Sequence, residues 1–99
     1  MTDATETQRA VAEVRTAHAK RYMGQLCKHF AHKVPAELEE TSGVVRFPFG
    51  TLHARAEDDR LILEVEATPE NLARIEEVTA SHLVRFAFRE EIAIDWRPA

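Results

Sequence analysis

Apolar and polar positions change period several times along the chain, and each change marks an element. From Arg9 to Thr16, Ala10, Ala12 and Val14 alternate with Val11, Glu13 and Arg15, which predicts a half-buried strand. Between Ala17 and Lys33 the spacing turns helical. Ala19, Tyr22, Met23, Leu26, Cys27 and Phe30 fall on one stripe. Thr16 is a candidate N-cap. Val34-Pro35 ends the helix, because a residue before proline is pushed out of the α region.

Short strands follow. Ala36–Glu40 is a first candidate, Thr41-Ser42-Gly43 reads as a turn, and Val44–Phe47 reads as a strand. Pro48 cannot donate a ladder hydrogen bond, so Pro48-Phe49-Gly50 predicts a bulge or bend. Leu52, Ala54 and Ala56 then alternate with His53 and Arg55. After a hairpin turn at Asp58-Asp59-Arg60, Leu61, Leu63 and Val65 alternate with Glu64 and Glu66. Thr68-Pro69-Glu70 is a helix start: Thr caps, Pro fits the first turn, Glu suits the dipole. That helix reaches about Phe86, burying Leu72, Ile75, Val78, Leu83 and Phe86. Ile92, Ile94 and Trp96 mark a last strand, stopped by Pro98.

The resulting order is β-α-β-β-β-α-β. Without regular strand–helix alternation, a doubly wound parallel sheet is disfavoured. The expectation is an α+β fold: a mainly antiparallel sheet of about five strands with two helices on one face. Residues 9–99 form one domain behind a disordered tail, residues 1–8.

Composition narrows the function classes. Ninety-nine residues make one domain with a core but little room for a deep cleft, which favours a binding or accessory module over an enzyme. A net charge of −4 argues against a general nucleic-acid binder. The single cysteine, Cys27, allows no internal disulfide and fits a reducing, cytoplasmic setting. No apolar run approaches the roughly 20 residues that cross a bilayer, so no membrane partner is expected. Nothing in the N-terminal MTDATETQ resembles a signal peptide.

Three segments carry a family resemblance: Gln25–Lys33 (QLCKHFAHK), Val45–Gly50 (VRFPFG), and His82–Glu90 (HLVRFAFRE) followed by Ile94-Asp95-Trp96. Together they resemble the bacterial family catalogued as domain of unknown function 2218 (DUF2218), over nearly the whole chain after the tail. The resemblance implies a bacterial protein without an assigned activity or catalytic residues. Some relatives are fused to, or encoded near, siderophore-interacting flavin reductases. That implies a link to iron acquisition and a siderophore-related protein as a candidate partner.

Candidate chemistry sits in three places. In the first helix, Cys27, His29 and His32 suggest a metal string, but His29 falls about 160° from Cys27 on the wheel. Cys27 is most simply a small buried hydrophobe. His29 and His32, three apart, are the candidate metal ligands for zinc, copper, nickel or ferrous iron, and the set a metal- or haem-binding alternative would use. Lys28 and Lys33 beside them favour an anion, so His29 and Lys33 are also candidate anion contacts. No cofactor is expected.

His82 lies within about 20° of Ile75, inside the apolar stripe of the second helix, where its ring nitrogens need hydrogen-bond partners. It is either a bonded core histidine or a group facing a pocket between helix and sheet.

The uncovered sheet face displays Glu13, Arg15, His53, Arg55, Glu64, Glu66, Asp95 and Arg97, with Arg46 beside them. Arg46, His53 and Arg55 are the candidate contacts there for a small anionic ligand, because guanidinium forks suit carboxylates and phosphates. A homodimer through a strand edge or this open face is a third option. No phosphate loop, nucleophile elbow or paired acid–base carboxylates stand out.

Overall fold

The computed structural model describes residues 7–99. Six strands and two helices follow in the order β1 (Gln8–Arg15), α1 (Ala19–Phe30), β2 (Ala36–Leu38), β3 (Ser42–Phe47), β4 (Gly50–Ala56), β5 (Arg60–Ala67), α2 (Pro69–Phe86) and β6 (Arg97–Pro98). The strands form one sheet in the order β2-β3-β4-β5-β1-β6, and every neighbouring pair is antiparallel. Both helices lie on one face, so the fold is the expected α+β arrangement, with the three-residue β2 as a sixth strand. Most of the expected tail, residues 1–6, lies outside the described residues. Gln8 is already in β1, opposite Ala67.

Alternation in the strands translates directly into two faces. Val14, Val45, Leu52, Leu61, Leu63 and Val65 point to the helices and are fully buried, against Met23 and Leu26 of α1 and Ile75 and Leu83 of α2. The opposite face carries Val11, Glu13, Val44, Arg46, His53, Arg55, Ile62 and Glu64, none of them buried. Burying a leucine-sized side chain stabilises by about 1.5–3 kcal/mol, so this one-sided core fixes the register.

Several local details differ from the sequence expectation. Helix α1 starts at Ala19 with His18 at the N-cap, not Thr16. Thr16 sits two residues earlier. Its hydroxyl accepts from the His18 N–H and is free to donate elsewhere. Thr68 is at the N-cap of α2 but makes no side-chain cap bond to the backbone; its hydroxyl accepts from the Asn71 side chain instead.

Ser42 and Gly43 belong to β3 rather than to a turn. Pro48-Phe49 is a tight two-residue connection, with Phe47 paired to Gly50. Any larger residue at 50 would bring its Cβ to 2.6 Å from the Glu66 carbonyl oxygen and 2.9 Å from the Ala67 Cβ.

The C-terminal segment is the largest departure. Ile92, Ile94 and Trp96 are half-buried and alternate with exposed neighbours, as expected, yet residues 91–96 form no ladder. Alternation reports which side chains find apolar cover, and here that cover is the core's edge rather than a paired strand. Pairing begins only at Arg97–Pro98, so Asp95 is not on the sheet. Pro98 does not stop the strand; it sits in it, opposite Ala10, at a sheet edge where its missing N–H costs nothing. Both edge strands are very short, which limits edge-to-edge association.

Among the described residues, no helix is long and apolar enough to cross a membrane.

Candidate functional site

The sequence-selected residues divide between two surfaces. Arg46, His53 and Arg55 all lie on the open sheet face, where His53 stands between Val44 of β3 and Glu64 of β5, and Arg46 and Arg55 sit at opposite ends of the β3–β4 ladder. His53 and Arg55 border a shallow depression of about 390 Å³ whose floor includes Val11, Val44 and Ile62, and Arg46 lies outside its lining. Arg46, Arg55 and Arg60 of this face are already engaged, whereas Arg15 joins no ion pair among the described residues. Arg46 pairs with Glu37 at 2.8 Å, Arg55 with Glu57 at 3.3 Å, and Arg60 with Glu13 and Glu57 at 2.8 and 2.7 Å. The Arg60 guanidinium holds the Glu57 carboxyl below the usual carboxylate range. An anion arriving at Arg46 or Arg55 competes with a resident carboxylate for the fork.

The histidines lie on the other side, where α1 meets α2. The His29 and His82 rings are 5.0 Å apart, and His82 is 4.8 Å from the Phe30 ring. The Nδ1 of His82 is 2.7 Å from the Val78 carbonyl oxygen. A carbonyl only accepts, so Nδ1 carries the proton and Nε2 of the neutral ring holds the lone pair. His82 therefore packs between the helices, not between helix and sheet. His29 is pushed below the ordinary histidine range, first by desolvation against α2, then by repulsion from His82, Arg85, His32 and Lys33. His32 and Lys33 lie in the exposed turn after α1. No group of three or more metal-ligating side chains converges among the described residues. Cys27 is buried and away from the histidine rings, with its thiol pKa raised by burial.

A third place was not singled out by sequence. Helix α2 ends at Phe86, and the Ala87 N–H caps the Leu83 carbonyl. Ala87 is buried, which anchors the following turn, and the Glu90 N–H closes that turn on the Ala87 carbonyl at 3.0 Å. Glu90 is thereby aimed back at the start of α1. Both of its carboxylate oxygens accept from the Thr16 hydroxyl at 3.1 Å, and one also accepts from the Tyr22 hydroxyl. Thr16 and Tyr22 are buried.

The electrostatics of this network are one-sided. The hydrogen bond to Glu90, then burial, raises the Tyr22 pKa. The bond from Tyr22, supported by Thr16 and the nearby His18, lowers the Glu90 pKa against partial desolvation. At neutral pH the network is a neutral phenol donating to a carboxylate.

Tyr22 and Glu90 form one wall of a cleft of about 420 Å³, which His18, Arg21, Gln25, Phe86 and Arg89 also line. Neither Arg21 nor Arg89 joins an ion pair among the described residues. Arg89 lies 5.4 Å from the centre of the Phe88 ring, which is 76 % exposed. The cleft thus combines two unpaired guanidinium groups, one carboxylate held by hydroxyls, and aromatic surface.

Sequence reading passed over this site for an identifiable reason. Tyr22 reads as one more member of the apolar stripe of α1, and Glu90 belongs to no periodic pattern. A buried tyrosine hydroxyl needs a partner, and that requirement was the available signal.

An α+β domain with an open sheet face and a polar cleft between its two helices defines a structural class, and comparison supplies the relatives. The chain belongs to the family described as "Uncharacterized protein conserved in bacteria (DUF2218)", whose model matches residues 11–97. It is similar to PA4090 from Pseudomonas aeruginosa, known from an NMR structure: 35 % identity, TM-score 0.76, covering 93 % of this chain and 97 % of that one. Comparison with curated proteins returns no match.

Proposed function

We propose that this domain is a non-enzymatic accessory module that binds a small anionic ligand in the cleft between the start of α1 and the turn after α2. The supporting observation is the charge balance there. Arg21 and Arg89 bring two positive charges without a paired carboxylate among the described residues, and Glu90 brings one negative charge. The surplus suits one carboxylate or phosphate group, and guanidinium forks bind either in a bidentate manner. Phe86 and the exposed Phe88 give an aromatic or apolar ligand body something to lie against. Tyr22 and Thr16 spend their hydroxyl protons on Glu90, so they hold the wall and do not act on the ligand.

The resemblance to relatives near siderophore-interacting reductases directs the choice of probes. Citrate, 2,3-dihydroxybenzoate and a ferric catecholate complex represent anionic chelators, and inorganic phosphate is the control anion. An amide chemical-shift titration tests the reading. Saturable shifts centred on Arg21, Gln25 and Arg89 are expected. Shifts centred on Arg46, His53 and Arg55 would move the ligand to the open face, and no saturable shift with any probe would overturn the reading.

The pairing of His29 with His82 supports a second reading, metal coordination. Two imidazoles 5.0 Å apart, one with its Nε2 lone pair fixed by a carbonyl on Nδ1, are a two-ligand start for zinc, copper or nickel. Metal analysis of the purified protein beside His29→Ala/His82→Ala tests it. Equal metal content and affinity in the two would remove it.

A further inference from the structure

The outward face of α2 is as unpartnered as the cleft, and it lies apart from the cleft's arginines. Between α2 and the ladder-free segment 91–96 runs a groove of about 560 Å³. Its floor is Ala80, Val84, Ile92 and Ile94, and its rim carries Glu77 and Arg85. Val84 is 52 % exposed, and it shares the groove with Ala80, Ile92 and Ile94, so it belongs to an apolar patch rather than standing alone.

We infer that this groove is the interface of a homodimer in which two α2 helices pack antiparallel about a twofold axis near Ser81. The occupant is fixed by self-complementarity. In a twofold pair of antiparallel helices, positions equally far either side of the centre face each other across the interface. Glu77 and Arg85 lie four residues either side of Ser81, so each Glu77 meets the partner copy's Arg85, twice per dimer. Neither side chain joins an ion pair within its own chain among the described residues.

Size agrees with charge. Ala80 and Ser81 at the crossing point are small, which lets two helix axes approach at the short end of the usual range. The Ser81 hydroxyl already donates to the Val78 carbonyl at 3.3 Å, so burying it strands no donor. Val84 of each copy then covers the apolar floor of the other. The paired charges supply orientation and partner choice more than affinity.

The full chain in sedimentation equilibrium from ~10 µM to ~1 mM tests this, because dimer population follows mass action. Wild type is expected to dimerise. Val84→Glu, at an exposed helix position, is expected to raise the dissociation constant by roughly 100-fold, as removal of a buried apolar contact at an interface centre does. Two charge variants give an independent readout. Glu77→Arg alone and Arg85→Glu alone each place like charges together twice and weaken self-association. An equimolar mixture of the two restores both ion pairs and forms a heterodimer. A protein that stays monomeric throughout overturns the inference. So does a dimer indifferent to Val84→Glu, or a mixture that associates no better than its components.

Discussion

Tyr22 donates its phenolic hydrogen to the carboxylate of Glu90, 68 residues further along the chain, and this bond ties the start of α1 to the turn after α2. It is the contact that turns two chain segments into one cleft wall. Removing the hydroxyl with Tyr22→Phe leaves Glu90 held by Thr16 alone. The expected result is a less stable protein, with the Glu90 carboxyl titrating closer to its ordinary range. Carbon-detected NMR titration of the Glu90 carboxyl checks the second point, and chemical denaturation the first.

The same bond sets limits on stability at both ends of the pH scale. Glu90 is depressed in the folded state, so its contribution is present above the ordinary carboxylate pKa and lost as pH falls through the folded value. Tyr22 is raised, so its contribution is present below the ordinary phenol pKa and lost as pH rises through the folded value. Denaturation midpoints measured across pH should show both limbs in wild type and shallower ones in Tyr22→Phe.

His29 predicts a separate loss in mildly acidic solution. Its folded pKa is lowered by desolvation and by His82, Arg85, His32 and Lys33. The unfolded chain therefore binds the proton more readily. Stability is full above the ordinary histidine pKa of about 6.5 and falls as pH drops from there through the folded pKa. His29→Gln removes the charge but keeps a polar side chain, and it should flatten the stability profile over that window. A profile unchanged by the substitution would contradict the assignment.

How much of this was readable beforehand depended on whether a signal was local. Period and caps placed α2 at its observed start, and the alternation in β1, β4 and β5 gave the buried face correctly. Cys27 fell on the buried stripe of α1, as the wheel required. Ser42-Gly43 misled because turn chemistry and close packing both ask for glycine. Ile92, Ile94 and Trp96 misled because alternation records cover rather than pairing. The open face was legible as a set of residues, but not the ion pairs that occupy Arg46 and Arg55. The cleft was not legible, because Thr16, Tyr22 and Glu90 meet only through tertiary structure.

Gly43 shows the packing cause in a testable form. A Cβ there would lie 2.5 Å from the Cys27 sulfur, which is itself buried under α1. Gly43→Ala should destabilise by roughly 2 kcal/mol through overpacking. Combined with Cys27→Ala, the added methyl gains room, and the double variant should lose about 1 kcal/mol less than the sum of the singles. Denaturant titration of the four proteins measures this coupling.

Thr79 is buried in α2, and its hydroxyl has no hydrogen-bond partner among the described residues. Thr79→Val keeps the shape and removes the stranded polar group. The expected gain is about 1 kcal/mol, seen as a higher denaturation midpoint with an unchanged slope.

The account rests on the anion cleft, and isothermal titration calorimetry with two double variants tests it most directly. The titrant is whichever probe anion gives the largest shifts. Arg21→Gln/Arg89→Gln removes the unpaired guanidinium groups; Arg46→Gln/Arg55→Gln removes paired ones on the open face. Loss of binding in the first protein and wild-type affinity in the second, with affinity falling as salt is added, is the predicted result. Full binding by the first protein, or its loss only in the second, would contradict it.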